Sequence, residues 1–598
     1  VALEILKATF ANIIVAFSAF GFGCWIPRAL PKTFSQLTRY ICSWVGGFGV
    51  LGVTLFVIGH LSFTRVTIGI VLAIGVLAGF TISRRSWRLQ VPLIHPAFAI
   101  VGIVLAITAI AGTAEPVGDW GTDGVAYHYV GPKVWLRNGI VRPVADNAPT
   151  SYPSIVEMVF ASMMAFGGQR APGLSAAWTL AMFLVIAALL GCRLGLDVAE
   201  AWWVAALLVA MPALYEGSHS GFVDAIYAAF VLVAIRIGLD ANETKHFLLF
   251  GFFCGLAMAT KYPALAAFPL LLLCVAWPRK NDKPLTALSN AILAAATACL
   301  VASPIYLTNF ILLGSPIYPP PAGAANLLHV KYFSAPALHE FYAWSIRRGN
   351  GHGRALWHFF TLPFSLTYHT ADFHGAGGIG LAPLALGPLG LVSSWRDSFA
   401  RRLAVIGVLL LLLWFVTLQE SRYLIHFYAI AAIFAVIGWK YSRSFLGGLG
   451  KVLCAAVVFI SITYGLVMIG RARASDFHAV FSLAFADHRR HTKIPFVESF
   501  DFLNHDSSVN SVLFLDPSVP AYFSDKDYVK PFGQWGEQVF SNLSTPAEVL
   551  SHLDQLHVSH ILDVQSTISD FRVPPNSPAV ILVFKRPGQH IYKVVSTQ

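Results

Sequence analysis

Two carboxylates, Asp119 and Asp123, stand four residues apart in Gly118-Asp119-Trp120-Gly121-Thr122-Asp123-Gly124-Val125-Ala126-Tyr127-His128. On a helix that spacing puts both on one face. Trp120, Tyr127, His128 and Trp135 crowd the same stretch and offer an aromatic, partly apolar wall. Such surroundings raise a carboxylate pKa and suit it to take a proton from a hydroxyl. A lone acid in a loop is usually only a solvated charge; its neighbours weigh against that reading of Asp123. Asp119 and Asp123 on one face can also hold a divalent cation such as Mg or Mn, although two ligands alone are a weak metal signature. Tyr127 and Trp135 have a plainer reading as aromatics at a membrane interface, and for Trp135 that reading is preferred.

What positions these acids is an apolar segment just before them, roughly 96–115, long enough to cross a bilayer. The chain as a whole is of that kind. It has 598 residues, of which 56% are hydrophobic and only 12% charged, and a mean hydropathy of +0.65. Soluble domains lack this composition; polytopic membrane proteins have it. The net charge of +11 does not indicate a nucleic-acid partner, because the basic residues flank apolar segments as orienting charges do. Cys24, Cys42, Cys192, Cys254, Cys274, Cys299 and Cys454 all fall within or beside apolar stretches, so no disulfide framework is implied, and no Cys/His spacing fits zinc.

Apolar spans are expected near 8–26, 41–60, 66–83, 96–115, 172–192, 199–214, 222–240, 247–260, 263–277, 285–313, 378–394, 403–418, 423–439 and 447–469. That is about fourteen transmembrane helices, those around 247–277 being short for a roughly 30 Å core. Alternate loops carry Arg28, Lys32 and Arg39; Arg84, Arg85 and Arg88; Arg193; Arg236 and Lys245; Arg279, Lys280 and Lys283; Arg396, Arg401 and Arg402; and Lys440, Arg443 and Lys451. The short loops of opposite parity hold Arg65, Lys261 and Arg422 as their only Lys or Arg. The positive-inside rule then places loop 116–171, loop 314–377 and everything after 470 outside. The expected organisation is 1–95 as additional N-terminal transmembrane helices, 96–470 as a transmembrane catalytic core with external loops 116–171 and 314–377, and 471–598 as an external domain.

The tail changes character. Ser511–Asp516, His560–Val564, Ala579–Arg586 and His590–Val595 read as strands. Thr545-Pro546-Ala547-Glu548 is a capping box that opens a helix ending near Leu556. The expectation is a small α/β domain, without a recognisable catalytic set among Asp516, Asp525, Lys526, Asp527 and Tyr528. Loop 314–377 carries Lys331, His339, Arg347, Arg348, His352, Arg354, His358, His369 and His374 between glycines. It reads either as a lid or as a basic loop meeting anionic lipid.

Further motifs follow in order: Ser151-Tyr152-Pro153-Ser154-Ile155-Val156-Glu157; Val223-Asp224-Ala225; Ala259-Thr260-Lys261-Tyr262; Ser303-Pro304-Ile305-Tyr306 to Asn309, then Gly314-Ser315-Pro316-Ile317-Tyr318-Pro319; and Gln419-Glu420-Ser421-Arg422-Tyr423. Together with Thr122–His128 they resemble, over roughly 100–440, the GT-C superfamily of integral-membrane glycosyltransferases, in the branch of protein O-mannosyltransferases and aminoarabinose transferases. Each motif alone is weak; their shared order and side of the membrane carry the resemblance. Three features depart from the family pattern. Extra helices precede its usual first one, Ser154 replaces a proline, and the Lys-Pro-Pro variant whose Lys contacts the donor phosphate is replaced by Ser151-Tyr152-Pro153.

The resemblance implies a polytopic GT-C-like α-helical membrane protein with a small extracytoplasmic α/β domain. It implies inverting transfer of a hexosyl or pentosyl group from a polyprenyl-phosphate donor to a hydroxyl on a glycan, glycolipid or protein. Asp123 is the candidate base, with Asp119 and Asp224 orienting it, holding the acceptor or binding a metal. Lys261, Arg422 and Tyr262 are candidates for the donor phosphate. Tyr127, His128, Tyr152, Glu157, Tyr318 and Tyr423 are candidate pocket residues. The alternative for Lys261 and Arg422 is snorkelling to lipid head groups, and for Asp224 a helix cap. A bacterial inner membrane with a periplasmic site is the expected location. A different class, a transporter or flippase of lipid-linked envelope intermediates, would more often place charges at mid-membrane and show paired halves. A scaffold in envelope assembly leaves the one-sided acids without a role.

Overall fold

The computed structural model describes residues 2–82, 95–117, 123–144, 147–218, 221–276, 284–321, 330–331, 335–374, 378–516, 519–530, 543, 545–564 and 577–595. By its internal contacts the chain divides into two compact units. The first comprises Val1–Ala114, Pro153–Pro304 and Ile346–Val480, and the second Glu115–Tyr152, Ile305–Ser345 and Phe481–Gln598.

The first unit is a helical bundle built round Asp224–Leu239, every residue of which is buried. A helix apolar on all sides belongs in the middle of a bundle, and this one carries charges only at its ends, Asp224 at one and Arg236 at the other. Helices Gln36–Gly59, Ala171–Arg193, Thr244–Met258 and Ile425–Phe445 pack about it. Small residues let backbones approach where no apolar driving force separates lipid from protein. A Cβ on Gly438 would sit 2.0 Å from Leu386 O, and one on Gly390 1.8 Å from Phe434 O. Those two glycines therefore set the crossing of Leu381–Ser394 with Ile425–Phe445. The N-terminal helix joins the bundle through a satisfied polar contact: Asn12 donates to Ala171 O at 2.8 Å and accepts from Trp178 Nε1 at 2.9 Å.

A helix lies under every expected apolar span. Among the described residues, however, only seven are long and apolar enough to cross a membrane: Ala2–Ala29, Gln36–Gly59, Ala171–Arg193, Pro284–Leu313, Ser398–Val416, Ser421–Phe445 and Gly448–Phe481. Arg65–Phe80, Pro96–Gly112, Val198–Val209, Thr244–Met258, Pro263–Val275 and Leu381–Ser394 are shorter apolar helices. Several are cut off by their own sequence; Val198–Val209 stops just before Pro212, which opens a separate turn. Further helices lie outside the expected spans: Ala335–Arg348 and Leu356–Tyr368 in loop 314–377, Leu483–Lys493 and Val497–His505 in the tail, and one more that is apolar. Ile155–Gly167, inside the stretch read as external loop 116–171, is apolar and almost wholly buried. At 13 residues it is too short for a span, so its apolar run did not register as one.

The second unit holds the sheet. Ser511–Phe514 (β1), Asp527–Val529 (β2), His560–Val564 (β3), Val580–Arg586 (β4) and Gln589–Val594 (β5) are ordered β2-β1-β3-β5-β4. β1 runs parallel to β2 and β3, while β5 runs antiparallel to β3 and β4. The expected strands are all present; the short edge strand β2 was missed. Helix Pro546–Gln555 begins at the expected capping box, with both reciprocal bonds between Thr545 and Glu548 formed. It covers a core of Leu513, Leu515, Val549, Leu553, Ile561 and Tyr592.

Candidate functional site

In the first unit four elements from distant parts of the chain meet at the Asp224 end of the central helix. Val223 is the cap of that helix and Asp224 its first residue, and no side-chain cap bond forms there. The Asp224 carboxylate, 1% exposed, instead ion-pairs with Lys261, which sits in the turn between Thr244–Met258 and Pro263–Ala276. Asp224 Oδ2 has no hydrogen-bond partner among the described residues. The Lys261 ammonium also lies over the Tyr423 ring. Arg422, beside it on the short helical turn Ser421–Leu424, faces the rings of Phe222 at 5.3 Å and Tyr423 at 5.1 Å. Gly217 leaves room for this meeting: a Cβ there would lie 2.9 Å from Arg422 Cβ and 3.6 Å from Asp224 Cβ.

Glu420 completes the cluster. Its Oε2 accepts from Arg422 Nε at 3.0 Å and its Oε1 from Arg348 Nε at 2.8 Å. Arg348 ends helix Ala335–Arg348, and the segment after it is bound to the residues just before Glu420. Gln419 N donates to Gly349 O and Gln419 Nε2 to Gly353 O, both at 3.0 Å. Arg354 donates to Thr417 O at 2.6 Å. His352 stands 2.6 Å from Asp372, with the rings of His358 and His369 near it. The basic segment 346–374 is therefore docked on Thr417–Glu420.

Lys261 and Arg422 thus do not snorkel to lipid. Each is mostly buried, 12% and 14% exposed, and held by a carboxylate. Asp224 is likewise no helix cap. Glu420 and Arg348 were not among the sequence candidates, because their role depends on a pairing 72 residues apart. Glu157 is buried in the first turn of Ile155–Gly167, whose Ile155 N–H reaches Ala259 O at 3.4 Å beside the Lys261 turn. Tyr262 is half-buried in that turn.

In the second unit Asp123 is half-buried and caps a π-helical turn, Gly124–His128, that runs on into helix Val130–Asn138. The wider turn brings Tyr129 N to Gly124 O at 2.8 Å, and single π turns of this sort recur at functional sites. Tyr127 donates its hydroxyl to Asp123 Oδ2 at 3.0 Å. The Tyr127 ring lies 4.1 Å from His128 and 5.8 Å, edge-on, from Tyr152. Asn309 fixes the Tyr152 segment by donating to Ser151 O at 2.8 Å. Asp119 and Trp120 lie outside the described residues. Trp135 is no interface aromatic: it is 3% exposed, and its indole N–H donates to Arg142 O at 2.7 Å. Tyr318, read as a pocket residue, is wholly buried with Ala148, Leu313 and Leu338, and its hydroxyl is used on Lys331 O at 2.9 Å.

The helix after Asp123 meets the tail. Lys133 Nζ donates to Tyr522 O and pairs with Asp525 Oδ1, each at 2.7 Å. Burial pulls the Lys133 pKa below its usual value and the Asp525 carboxylate pulls it partly back.

No family model matches this chain, and no curated protein matches it. Among solved structures it is similar to ArnT from Cupriavidus metallidurans, in the structure bound to undecaprenyl phosphate. The TM-score is 0.52 at 12% identity, covering 84% of this chain and 98% of that one. The apo structure of the same protein gives 0.53 at 12% identity, covering 83% and 97%. At such identity the likeness is one of fold.

Proposed function

We propose that this chain is a membrane glycosyltransferase that moves a sugar from a polyprenyl-phosphate donor to an extracytoplasmic hydroxyl with inversion. The observation that carries the reading is the cluster of Asp224, Lys261, Arg422, Tyr423, Glu420 and Arg348. Lys261 and Arg422 sit in loops otherwise stripped of Lys and Arg, and a buried guanidinium is a bidentate phosphate ligand. The ArnT fold, seen elsewhere with undecaprenyl phosphate, supports the same donor class.

In the proposed reaction the acceptor oxygen bonds to the anomeric carbon as the bond from that carbon to the phosphate oxygen breaks. The acceptor proton passes to Asp123, whose carboxylate Tyr127 orients. The polyprenyl phosphate leaves with its negative charge met by Lys261 and Arg422, the kind of electrostatic stabilisation that dominates such steps. Asp224 holds the Lys261 ammonium in place, and Glu420 holds Arg422. Of Asp119 and Asp123, read as metal ligands, only Asp123 is described, and among the described residues no group of three or more His, Cys, Asp or Glu is placed to hold a metal ion. No step is therefore routed through a metal. The loop charges put this chemistry on the outer face, in a bacterial inner membrane the periplasm.

The test is in-vitro transfer from an undecaprenyl-phosphate-linked sugar by the purified protein. Asp123→Asn should lower turnover by about 10²- to 10⁴-fold while donor binding persists. Full turnover in that variant removes Asp123 as the base; no transfer by the parent protein from any polyprenyl-phosphate sugar removes the function.

A further inference from the structure

One face of the helix that follows Asp123 is given over to the tail. Tyr129, Lys133 and Arg137 recur every four residues, which aligns them along a single helical stripe. All three meet one short stretch, Tyr522–Asp527. The ring of Tyr129 lies 6.0 Å from that of Tyr522. Lys133 binds Tyr522 O and Asp525 and stands over the Tyr522 ring at 5.2 Å. Arg137 donates to Asp525 O at 3.1 Å and pairs with Asp527.

That stretch is itself rigidly mounted. Asn504 brackets it, Nδ2 donating to Phe523 O at 2.9 Å and Oδ1 accepting from Asp525 N at 2.8 Å. Phe523 packs on Phe500 at 5.8 Å, and Lys526 donates to Asp506 O at 2.9 Å. Asp527–Val529 is β2, hydrogen-bonded to β1 in the sheet. On the other side of the clamp the helix adjoins, through Tyr129 alone, the π-helical turn capped by Asp123. The three contacts are unequal. The Arg137–Asp527 pair is exposed and such pairs contribute little. Lys133 is 16% exposed and keeps both an acceptor carbonyl and a carboxylate, so it is the contact that matters.

We propose that the C-terminal domain is the positioning element for the Asp123 turn, and that Lys133 is the positioning residue through which it acts. The sheet supplies a fixed platform, Tyr522–Asp525 the socket and Lys133 the plug. Holding the head of this helix fixes where the Asp123 carboxylate stands relative to the acceptor hydroxyl. The inference rests on the sugar-transfer reading for its consequence, though not for the clamp.

Two measurements on the full-length protein test it. The first is hydrogen exchange of amides 124–138, which does not depend on the activity. Lys133→Met should raise exchange there, and Lys133→Arg should restore most of the protection. The second is kinetic: Lys133→Met should lower kcat by about tenfold to a hundredfold, the cost of misplacing a catalytic group, with donor KM within about twofold of the parent. Asp525→Asn, at a mostly exposed carboxylate, is the milder variant should Lys133→Met not fold, and should shift both readouts the same way. The exchanged pair Lys133→Asp with Asp525→Lys should recover part of kcat. Unchanged exchange at 124–138 in a folded variant overturns the clamp. Raised exchange with unchanged kcat, or a donor KM that rises as kcat falls, overturns the positioning role. A parent protein that transfers no sugar defeats the functional reading alone, and the exchange result then judges the clamp.

Discussion

The Lys261 ammonium lies 4.2 Å from the centroid of the Tyr423 ring. The Arg422 guanidinium stands 5.1 Å from that same centroid, and Arg422 Nη2 is 3.4 Å from the Tyr423 hydroxyl. One aromatic side chain thus gathers both cations assigned to the donor phosphate. Like charges so close repel, and the negative face of the ring offsets part of that cost. Tyr423→Phe keeps the ring face and should bind undecaprenyl phosphate within about twofold of the parent. Tyr423→Leu removes it and should weaken binding between about twofold and thirtyfold, the span of cation–π energies at partly buried sites. Titration of the purified protein with undecaprenyl phosphate measures both.

The Asp224–Lys261 pair is buried enough that breaking it from one side leaves a charge without compensation. Asp224 is 1% exposed and Lys261 12%. Lys261→Met or Asp224→Asn alone should each destabilise by about 3–5 kcal/mol, whereas the double variant should regain most of that loss. Apparent unfolding temperature in detergent reads the difference. Additive losses in the double variant would show that the two side chains do not act as a pair.

Which parts of this arrangement are legible in the sequence follows from how local each signal is. The apolar runs and the Thr545–Glu548 capping box are local, and helices stand where they predicted them. The charge parity of the loops singled out Lys261 and Arg422 without their partners, because a topology rule reports a side of the membrane and not a contact. Asp224 was found through its motif, but its ion pair with Lys261 joins residues 37 apart. Glu420 was quoted within a motif and given no role; only the fold shows it bridging Arg348 and Arg422. Helix Ile155–Gly167 was missed because it is too short for a span and buried on nearly every side, and strand β2 because three residues show no period. The burial of Tyr318 and its bond to Lys331 O were not legible, because a buried tyrosine and a pocket tyrosine look the same in sequence.

Gly351 closes the docked segment onto Gln419. Its φ is +49°, and a Cβ there would fall 2.3 Å from Gln419 Oε1 and 2.7 Å from Gln419 Cβ. Gln419 is fully buried and cannot easily give way. Gly351→Val should therefore release segment 349–354 from Thr417–Glu420, at a backbone cost of about 1–3 kcal/mol. Limited proteolysis should cut the variant faster within 346–374, and donor affinity should fall because Arg348 no longer braces Glu420. Parent-like cleavage would mean that the segment tolerates the side chain where it is.

The tail carries a titrating group of its own in His560 on β3, which is fully buried. Its Nδ1 lies 3.0 Å from Ser559 Oγ, and its Nε2 has no hydrogen-bond partner among the described residues. Burial holds its pKa below the usual 6.5, with Lys593 and Lys526 adding to that effect and Asp506 opposing it. The neutral ring is the form the folded sheet accepts. Well above pH 6.5 both folded and unfolded chains carry a neutral imidazole, and stability is insensitive to this group. As pH falls below that value the unfolded chain takes up the proton first, so stability drops until the folded-state pKa is passed. Hydrogen exchange of amides 560–564 and 589–594 in the full-length protein should therefore accelerate between about pH 7 and pH 5, beyond the intrinsic effect of pH on exchange. His560→Leu, which cannot titrate, should flatten that dependence. An equal acceleration in the leucine variant would assign the acid sensitivity of the sheet to another group.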